Sequence, residues 1–139
     1  TMTTFNKSEL TLQACFKMFE AAQLKANELN FKIALTIVDT GGNTKFFSRM
    51  DGAPLMASDI SRKKAVTAIG FGMPTGASWN DFITGDPILD KGVSNIEDFM
   101  LLGGGLPITV ENEIVGAIGV SGGHYTQDEA CCSAALSIL

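Results

Sequence analysis

The chain has 139 residues, 45% hydrophobic and 18% charged, with a net charge of −5 at pH 7. This length predicts one domain over residues 1–139, whose buried core needs no metal or disulfide for support. The acidic balance argues against nucleic acid and anionic membrane surfaces as partners. No apolar run is long enough to span a bilayer, and the first residues contain no signal-peptide core, so we expect a cytoplasmic protein.

The first half of the chain predicts a helix, a β-hairpin and a second helix. Ser8 is a candidate N-cap for a helix that runs to about Leu29, with apolar residues at helical spacing. Residues 31–39 and 44–50 predict two strands, which the turn Thr40-Gly-Gly-Asn43 joins as a hairpin. The second helix is predicted from about residue 51 to about Ile69, with Pro54 in its first turn.

The second half predicts a short helix, a loop, three strands and a last helix. The short helix covers residues 77–83, the loop 84–95, and the strands 99–102, 106–110 and 114–120. Thr126 and Glu129 have capping-box spacing, which places the start of the last helix at Thr126. The order of elements predicts an α+β fold, in which a mainly antiparallel sheet of about five strands is flanked by helices.

Two glycine corners enclose the last two predicted strands. Glycine permits positive φ and close approach of backbone, so the corners are expected to wall a compact hollow. N–H groups at the start of the last helix, beside the second corner, are suited to anions. The candidate ligand-binding glycines are Gly104, Gly105, Gly122 and Gly123.

The second predicted helix carries Arg62 beside its buried stripe. One interpretation is an ion pair with Asp59 or Asp39; the other is a clamp for a carboxylate or phosphate ligand. Met56 and Ile60 lie on the opposite side of this helix. A helix with two apolar sides is typical of a subunit contact, so we predict a homo-oligomer.

His124 is the single histidine and stands at both the glycine corner and the helix start. It is either an exposed loop residue or a site residue. One histidine per chain does not provide bis-histidine ligation of haem within a chain. Other residues that could serve as axial ligands of a haem iron are Met50, Met56, Met73 and Tyr125.

Conventional catalytic and metal-binding patterns are missing from the sequence. It has no G-x-S-x-G, no Walker loop, and no Cys/His cluster with zinc spacing. The three cysteines are interpreted as buried apolar residues. Asp39 is either a general base or a turn cap. We therefore assign no catalytic residue and predict no metal site.

Five segments together resemble the GlcG/HbpS-like family, which also includes the C-terminal part of PduO-type proteins. The resemblance covers nearly the whole chain, and the combination is more specific than any one glycine motif. The segments are Ile37-Val-Asp-Thr-Gly-Gly-Asn43, Arg49-Met-Asp-Gly-Ala-Pro54, Ser61-Arg-Lys-Lys-Ala65, Gly103-Gly-Gly-Leu-Pro-Ile108, and Gly116-Ala-Ile-Gly-Val-Ser-Gly-Gly123 with Gln127-Asp-Glu129.

The resemblance implies a profilin-like layered fold and homo-oligomers. Some family members bind haem, and others are encoded beside genes for glycolate, glycerol or propanediol metabolism. Three hypotheses follow: a protein that binds haem, another tetrapyrrole or another small ligand; a cofactor-free lyase or isomerase acting on a small oxygenated or carboxylated metabolite; and an oligomeric accessory subunit. Because one fold hosts different functions, the choice depends on the site.

Overall fold

A computed structural model describes residues 2–139 of the chain. Over this range the chain forms five helices and four strands, an α+β fold as the sequence predicts. In chain order these are α1 Leu12–Glu28, β1 Ala34–Val38, β2 Thr44–Arg49, α2 Ala57–Phe71, α3 Ala77–Ile83, α4 Pro87–Val93, β3 Gly105–Val110, β4 Glu113–Ser121 and α5 Tyr125–Leu136.

The four strands form one antiparallel sheet in the order β2-β1-β4-β3. Successive side chains of a strand point to opposite faces, so each central strand serves two layers. In β1, Leu35 and Ile37 enter the core with α1 and α5, while Val38 packs against Ala65 and Ala68 of α2. The sheet is therefore the middle layer of an α-β-α arrangement, and all five residues of β1 are buried.

The fifth predicted strand, over residues 99–102, does not form. The backbone N–H of Met100 donates to Thr67 Oγ1 at 2.9 Å, and the carbonyl of Leu102 accepts from Thr75 Oγ1 at 2.8 Å. Phe99 packs edge-on against Trp79 with ring centroids 5.0 Å apart. Threonine hydroxyls thus pair with backbone groups of this segment, and an aromatic cluster packs its phenylalanine, although the composition of the segment resembles that of a strand.

Three helix starts differ from those that the sequence predicts. α1 is capped by Thr11, whose side chain accepts from the N–H of Ala14, rather than by Ser8. The residues around Pro54 form turns, and α2 begins at Ala57. α5 begins at Tyr125, capped by His124.

The predicted loop over residues 84–95 contains a helix, α4. Asp86 caps it by accepting from the N–H groups of Ile88 and Leu89, both at 3.1 Å, and Pro87 occupies its first position. An N-cap aspartate followed by proline is a favourable helix start, but the neighbouring glycines favour a loop in the sequence. α4 places Val93 in a small cluster with Trp79 of α3, beside the main core.

Candidate functional site

The two glycine corners meet at a buried ion pair. Lys64 reaches from α2 to the first turns of α5, where its Nζ lies 2.9 Å from Asp128 Oδ2 and donates to the carbonyl of Val120 at 2.8 Å. The side chains of Lys64 and Asp128 are 1% and 2% exposed. Asp128 Oδ1 also accepts from the N–H of Gly123 at 3.1 Å. The pair therefore links α2, the end of β4 and the start of α5.

Lys64 fills the space in which the sequence predicts a compact hollow. Gly104 has φ +116°, and a Cβ at this position would lie 2.9 Å from Lys64 Nζ. A Cβ at Gly105 would lie 2.5 Å from the carbonyl oxygen of Lys64. These glycines are needed because the lysine and its backbone occupy the place of a side chain. The hollow between the corners is thus packed by Lys64, and that Gly104 and Gly105 bind a ligand stays a prediction.

Burial sets the electrostatics of this pair. Removal from water raises the pKa of the Asp128 carboxyl, and the charge and hydrogen bond of Lys64 oppose the rise. An unpaired charge at this depth would be strongly unfavourable, so each partner requires the other.

The second corner leads into α5 through N–H groups that already have acceptors. A Cβ at Gly122, which has φ +147°, would lie 2.1 Å from the carbonyl oxygen of Lys32. The N–H of Gly123 binds Asp128, and the N–H of His124 donates to Gln127 Oε1 at 2.9 Å. An anion at this helix start has to displace these contacts. That Gly122 and Gly123 bind a ligand stays a prediction.

His124 is the N-cap of α5. Its Nδ1 accepts from the backbone N–H of Thr126 at 3.2 Å and lies 2.8 Å from Thr126 Oγ1. The capping box pairs His124 with Gln127 instead of Thr126 with Glu129. The Nε2 atom of His124 has no hydrogen-bond partner among residues 2–139. The Nε2 atom of this exposed imidazole is therefore unpaired, and because Nδ1 is the acceptor, Nε2 carries the proton of the neutral ring.

The His124 ring stacks on Tyr125, with centroids 4.2 Å apart at 34°. Tyr125 in turn lines a cavity of about 330 Å³. Two glycines, two leucines and an alanine make its wall mainly apolar, and Asn80 adds an amide. The lining residues are Gly76, Ala77, Asn80, Leu101, Leu102, Gly103 and Tyr125. The imidazole of His124 thus contacts a wall residue of an apolar cavity that is open to solvent.

Glu129 lies behind the wall of this cavity. A Cβ at Gly103 would lie 2.3 Å from Glu129 Oε2, and one at Gly76 would lie 3.1 Å away. Among residues 2–139 the half-buried carboxylate of Glu129 has no hydrogen-bond donor or cation as partner. It is a free acceptor next to the cavity.

Arg62 belongs to a different depression. Its Nη1 and Nη2 bind the two carboxylate oxygens of Asp98, each at 3.1 Å, and its Nε and Nη2 also contact Asp59. The guanidinium holds the pKa of the Asp98 carboxyl below its usual range. The depression of about 340 Å³ is lined by Thr36, Thr44, Phe47, Ser58, Asp59 and Arg62. Arg62 and His124 therefore line separate surfaces, and a ligand clamp at Arg62 stays a prediction.

The other candidates, apart from the exposed Met56, occupy positions with structural explanations. Met50 is 7% exposed and its Sδ accepts from the N–H of Ile33. Met73 packs in the cluster around Trp79, whereas Met56 is 59% exposed. Asp39 accepts from the N–H groups of Gly41 and Asn43 in the hairpin turn, which lowers the pKa of its carboxyl. These contacts are those of a turn cap.

The three cysteines are free and buried, in agreement with their interpretation as apolar residues. Burial raises the pKa of Cys131 to about 12 and that of Cys132 further still. Within residues 2–139, no group of three or more His, Cys, Asp or Glu side chains is arranged to hold a metal ion. Nor does any helix in this range have the length and apolar character needed to cross a bilayer.

Sequence reasoning missed the two residues of the buried ion pair at which the glycine corners meet, Lys64 and Asp128. Both lie within the segments that carry the family resemblance. The available signal was the small-residue face of α2, where Ala57, Ser61, Ala65 and Ala68 are buried together with Lys64. A lysine on the face formed by small residues indicates a buried ammonium that needs a partner.

The three-layer fold and the glycine corners place this molecule with the HbpS-like proteins. A sequence model of the family described as haem degrading protein HbpS-like matches residues 10–137. The chain belongs to this family.

Full-length similarity to individual proteins agrees with this assignment. The chain is 36% identical over 135 residues to an uncharacterized 15.0 kDa protein in the dhaT–dhaS intergenic region of Citrobacter freundii, covering 94% of this chain and 95% of the relative. The crystal structure of Klebsiella pneumoniae protein ORFY superposes with a TM-score of 0.89 at 32% identity, covering 97% of this chain and 93% of that one. A PduOC:heme complex superposes with a TM-score of 0.87 at 26% identity, covering 94% and 95%.

Proposed function

We propose that this protein binds haem at the start of α5, with His124 as the nitrogen ligand of the iron. The observation that carries the proposal is the unpaired Nε2 of an exposed imidazole that stacks on Tyr125, a wall residue of an apolar cavity. Haem is a flat, largely apolar group held by axial ligands, so it requires both features. The similar PduOC structure, which contains haem, supports this choice of ligand.

The surface around His124 fits such a group. Tyr125, which stacks on the imidazole, is 43% exposed, and Leu102 on the cavity wall is 47% exposed. Gly76 and Gly103 add wall area without side chains that would block a planar ring. Bound haem would supply a redox-active iron, and the chain would contribute the nitrogen ligand and the apolar contact.

The test is a titration with haemin followed by visible absorption. The wild type is expected to give a shifted, low-spin Soret band that saturates with added haemin. His124→Asn removes the imidazole and keeps a side chain that caps helices well, so α5 should stay intact. We expect the shift to be lost in this variant. A His124→Asn spectrum identical to that of the wild type removes His124 from the site, and no shift in the wild type overturns the haem proposal.

Arg62 and the corner glycines form a separate hypothesis of anion binding. An anion at Arg62 has to compete with Asp98 and Asp59, which already use its donors. Arg62→Ala is expected to weaken binding of an anionic ligand about tenfold if the clamp operates. If Arg62→Ala folds normally and binds the anionic ligand with unchanged affinity, Arg62 has only its ion-pair role.

The alternative function is that of a cofactor-free lyase or isomerase. The free carboxylate of Glu129 beside the cavity favours this second candidate, because an unpaired acceptor can take a proton or hold a hydroxyl. A small metabolite retained by the purified protein in native mass spectrometry, together with no Soret shift, would support it. The proposed role lies in small-metabolite metabolism of the glycolate, glycerol or diol type, in the cytoplasm.

The proposal includes a homo-oligomer. Near the start of α2, Leu55 and Met56 are 84% and 59% exposed, and Phe47 of the edge strand β2 is 46% exposed. Exposed apolar groups of this size are typical of a surface that another subunit covers. Light scattering is expected to give a multiple of 14.7 kDa; a mass of one chain at micromolar concentration contradicts the oligomer.

A further inference from the structure

We infer that Thr126 is a positioning residue for the iron ligand, because its hydroxyl lies where it can accept from Nδ1–H in the ring form of His124 whose Nε2 lone pair binds iron; this inference rests on the proposed function. The Oγ1 of Thr126 lies 2.8 Å from His124 Nδ1. The same Nδ1 accepts from the backbone N–H of Thr126 at 3.2 Å. The hydroxyl and the backbone N–H of Thr126 thus both contact Nδ1 of His124.

The capped form of His124 is not the form that binds iron. A neutral imidazole carries one proton, and Nδ1 accepts hydrogen bonds only when that proton is on Nε2. Iron binds the lone pair of Nε2, so that proton must move to Nδ1. Nδ1 then becomes a donor and needs an acceptor instead of the backbone N–H.

The hydroxyl of Thr126 serves both forms. In the capped form it donates to Nδ1, and in the ligating form it accepts from Nδ1–H without a change of position. The backbone N–H of Thr126 only donates and therefore supports the capped form alone. A partner that orients the second nitrogen of a ligating histidine strengthens the metal bond, and its loss typically weakens metal affinity 10- to 100-fold.

Thr126→Val is the selective variant. Valine has nearly the shape of threonine and keeps the backbone N–H, so the cap of α5 is retained while the acceptor for Nδ1–H is removed. Thr126→Ser restores a hydroxyl and is the matched control. Because the His124 ring is exposed and water can partly replace the hydroxyl, we expect a haemin affinity about tenfold weaker for Thr126→Val, the lower end of that range. Thr126→Ser should stay close to the wild type.

The experiment is a haemin titration of the wild type, both Thr126 variants, His124→Asn, and the double variant His124→Asn with Thr126→Val. The position of the Soret band and the dissociation constant are read for each. If Thr126 acts through His124, Thr126→Val has no further effect on the residual binding of His124→Asn, whereas independent roles add.

The outcomes separate this inference from the proposed function. A wild type without a Soret shift overturns both. A wild type that binds through His124, with Thr126→Val equal to it, overturns the role of Thr126 and leaves the haem site standing. Equal loss in Thr126→Val and Thr126→Ser, or a drop in thermal stability in Thr126→Val that matches the loss of binding, assigns Thr126 a structural role and also overturns the inference.

Discussion

The buried pair of Lys64 and Asp128 makes a strong prediction about stability. Asp128→Asn keeps the size of the side chain and the oxygen that accepts from Gly123 N–H, but removes the negative charge. The Lys64 ammonium, 1% exposed and 2.9 Å from Asp128 Oδ2, would then be buried without a counter-ion. Breaking a buried pair in this way costs about 3–5 kcal/mol.

The change in melting temperature follows from the length of the chain. The entropy of unfolding is about 2.1 cal/mol/K per residue, so each 1 kcal/mol shifts the Tm of this domain by about 3 °C. Asp128→Asn should therefore lower the Tm by roughly 10–15 °C. Urea unfolding followed by the fluorescence of Trp79, the single tryptophan, gives the free energy directly.

Two further variants test the reason for this loss. Lys64→Met in the Asp128→Asn background removes the unpaired ammonium, so the double variant should be more stable than Asp128→Asn alone. The surface pair of Lys25 and Glu28, 3.5 Å apart and largely exposed, is the control, and Glu28→Gln should cost less than about 0.5 kcal/mol. Asp128→Asn within about 1 kcal/mol of the wild type, or a double variant whose loss equals the sum of the single losses, would refute the reasoning.

Three other predictions concern acid stability, the packing of the sheet and the thiols. Since Arg62 lowers the pKa of Asp98, the pair stabilises the fold above about pH 4, and this stabilisation is lost as the pH falls through the folded-state pKa. Asp98→Asn should remove this contribution to the pH dependence of the unfolding free energy, which is about 1 kcal/mol or less because both side chains are about one-third exposed. An unaltered pH profile contradicts the assignment. Gly119→Ala would place a Cβ 2.0 Å from the carbonyl oxygen of Ser61 and should lower the free energy of unfolding by more than about 3 kcal/mol. The control Gly42→Ala, at φ +82° with open space around the new Cβ, should cost only about 1 kcal/mol in the same urea assay. Equal losses would disprove the role of close packing. The three buried cysteines should not react with a thiol reagent in the native protein and should all react in denaturant; rapid labelling under native conditions contradicts their burial.

Local sequence signals predicted much of the fold. The hairpin of β1 and β2 and the last two strands were recognisable because their apolar residues and turn glycines are adjacent in the chain. Other signals were ambiguous. Residues 99–102 have a strand-like composition, but the hydroxyls of Thr67 and Thr75 bind their backbone. Such partners, about 30 positions away, leave no local pattern.

The candidate site was predicted only in part. The sequence indicated His124 because it follows a glycine corner and precedes a helix, and the structure adds that Nδ1 is the cap and Nε2 is free. It also suggested an ion pair of Arg62 with Asp59 or Asp39; Asp59 is indeed a partner, and Asp98 rather than Asp39 is the other. The choice of partner depends on how α2 packs beside a distant loop, and no spacing rule contains that information.

By itself, the sequence determined the α+β class, the family and the positions at which the backbone must come close to another group. These properties follow from residue size, polarity and short-range spacing, which act within a few positions. Only the tertiary structure decided what occupies those close approaches. Lys64 and Asp128 are 64 positions apart, and their charges are compatible with burial only because folding brings Nζ to 2.9 Å from the carboxylate between the two glycine corners.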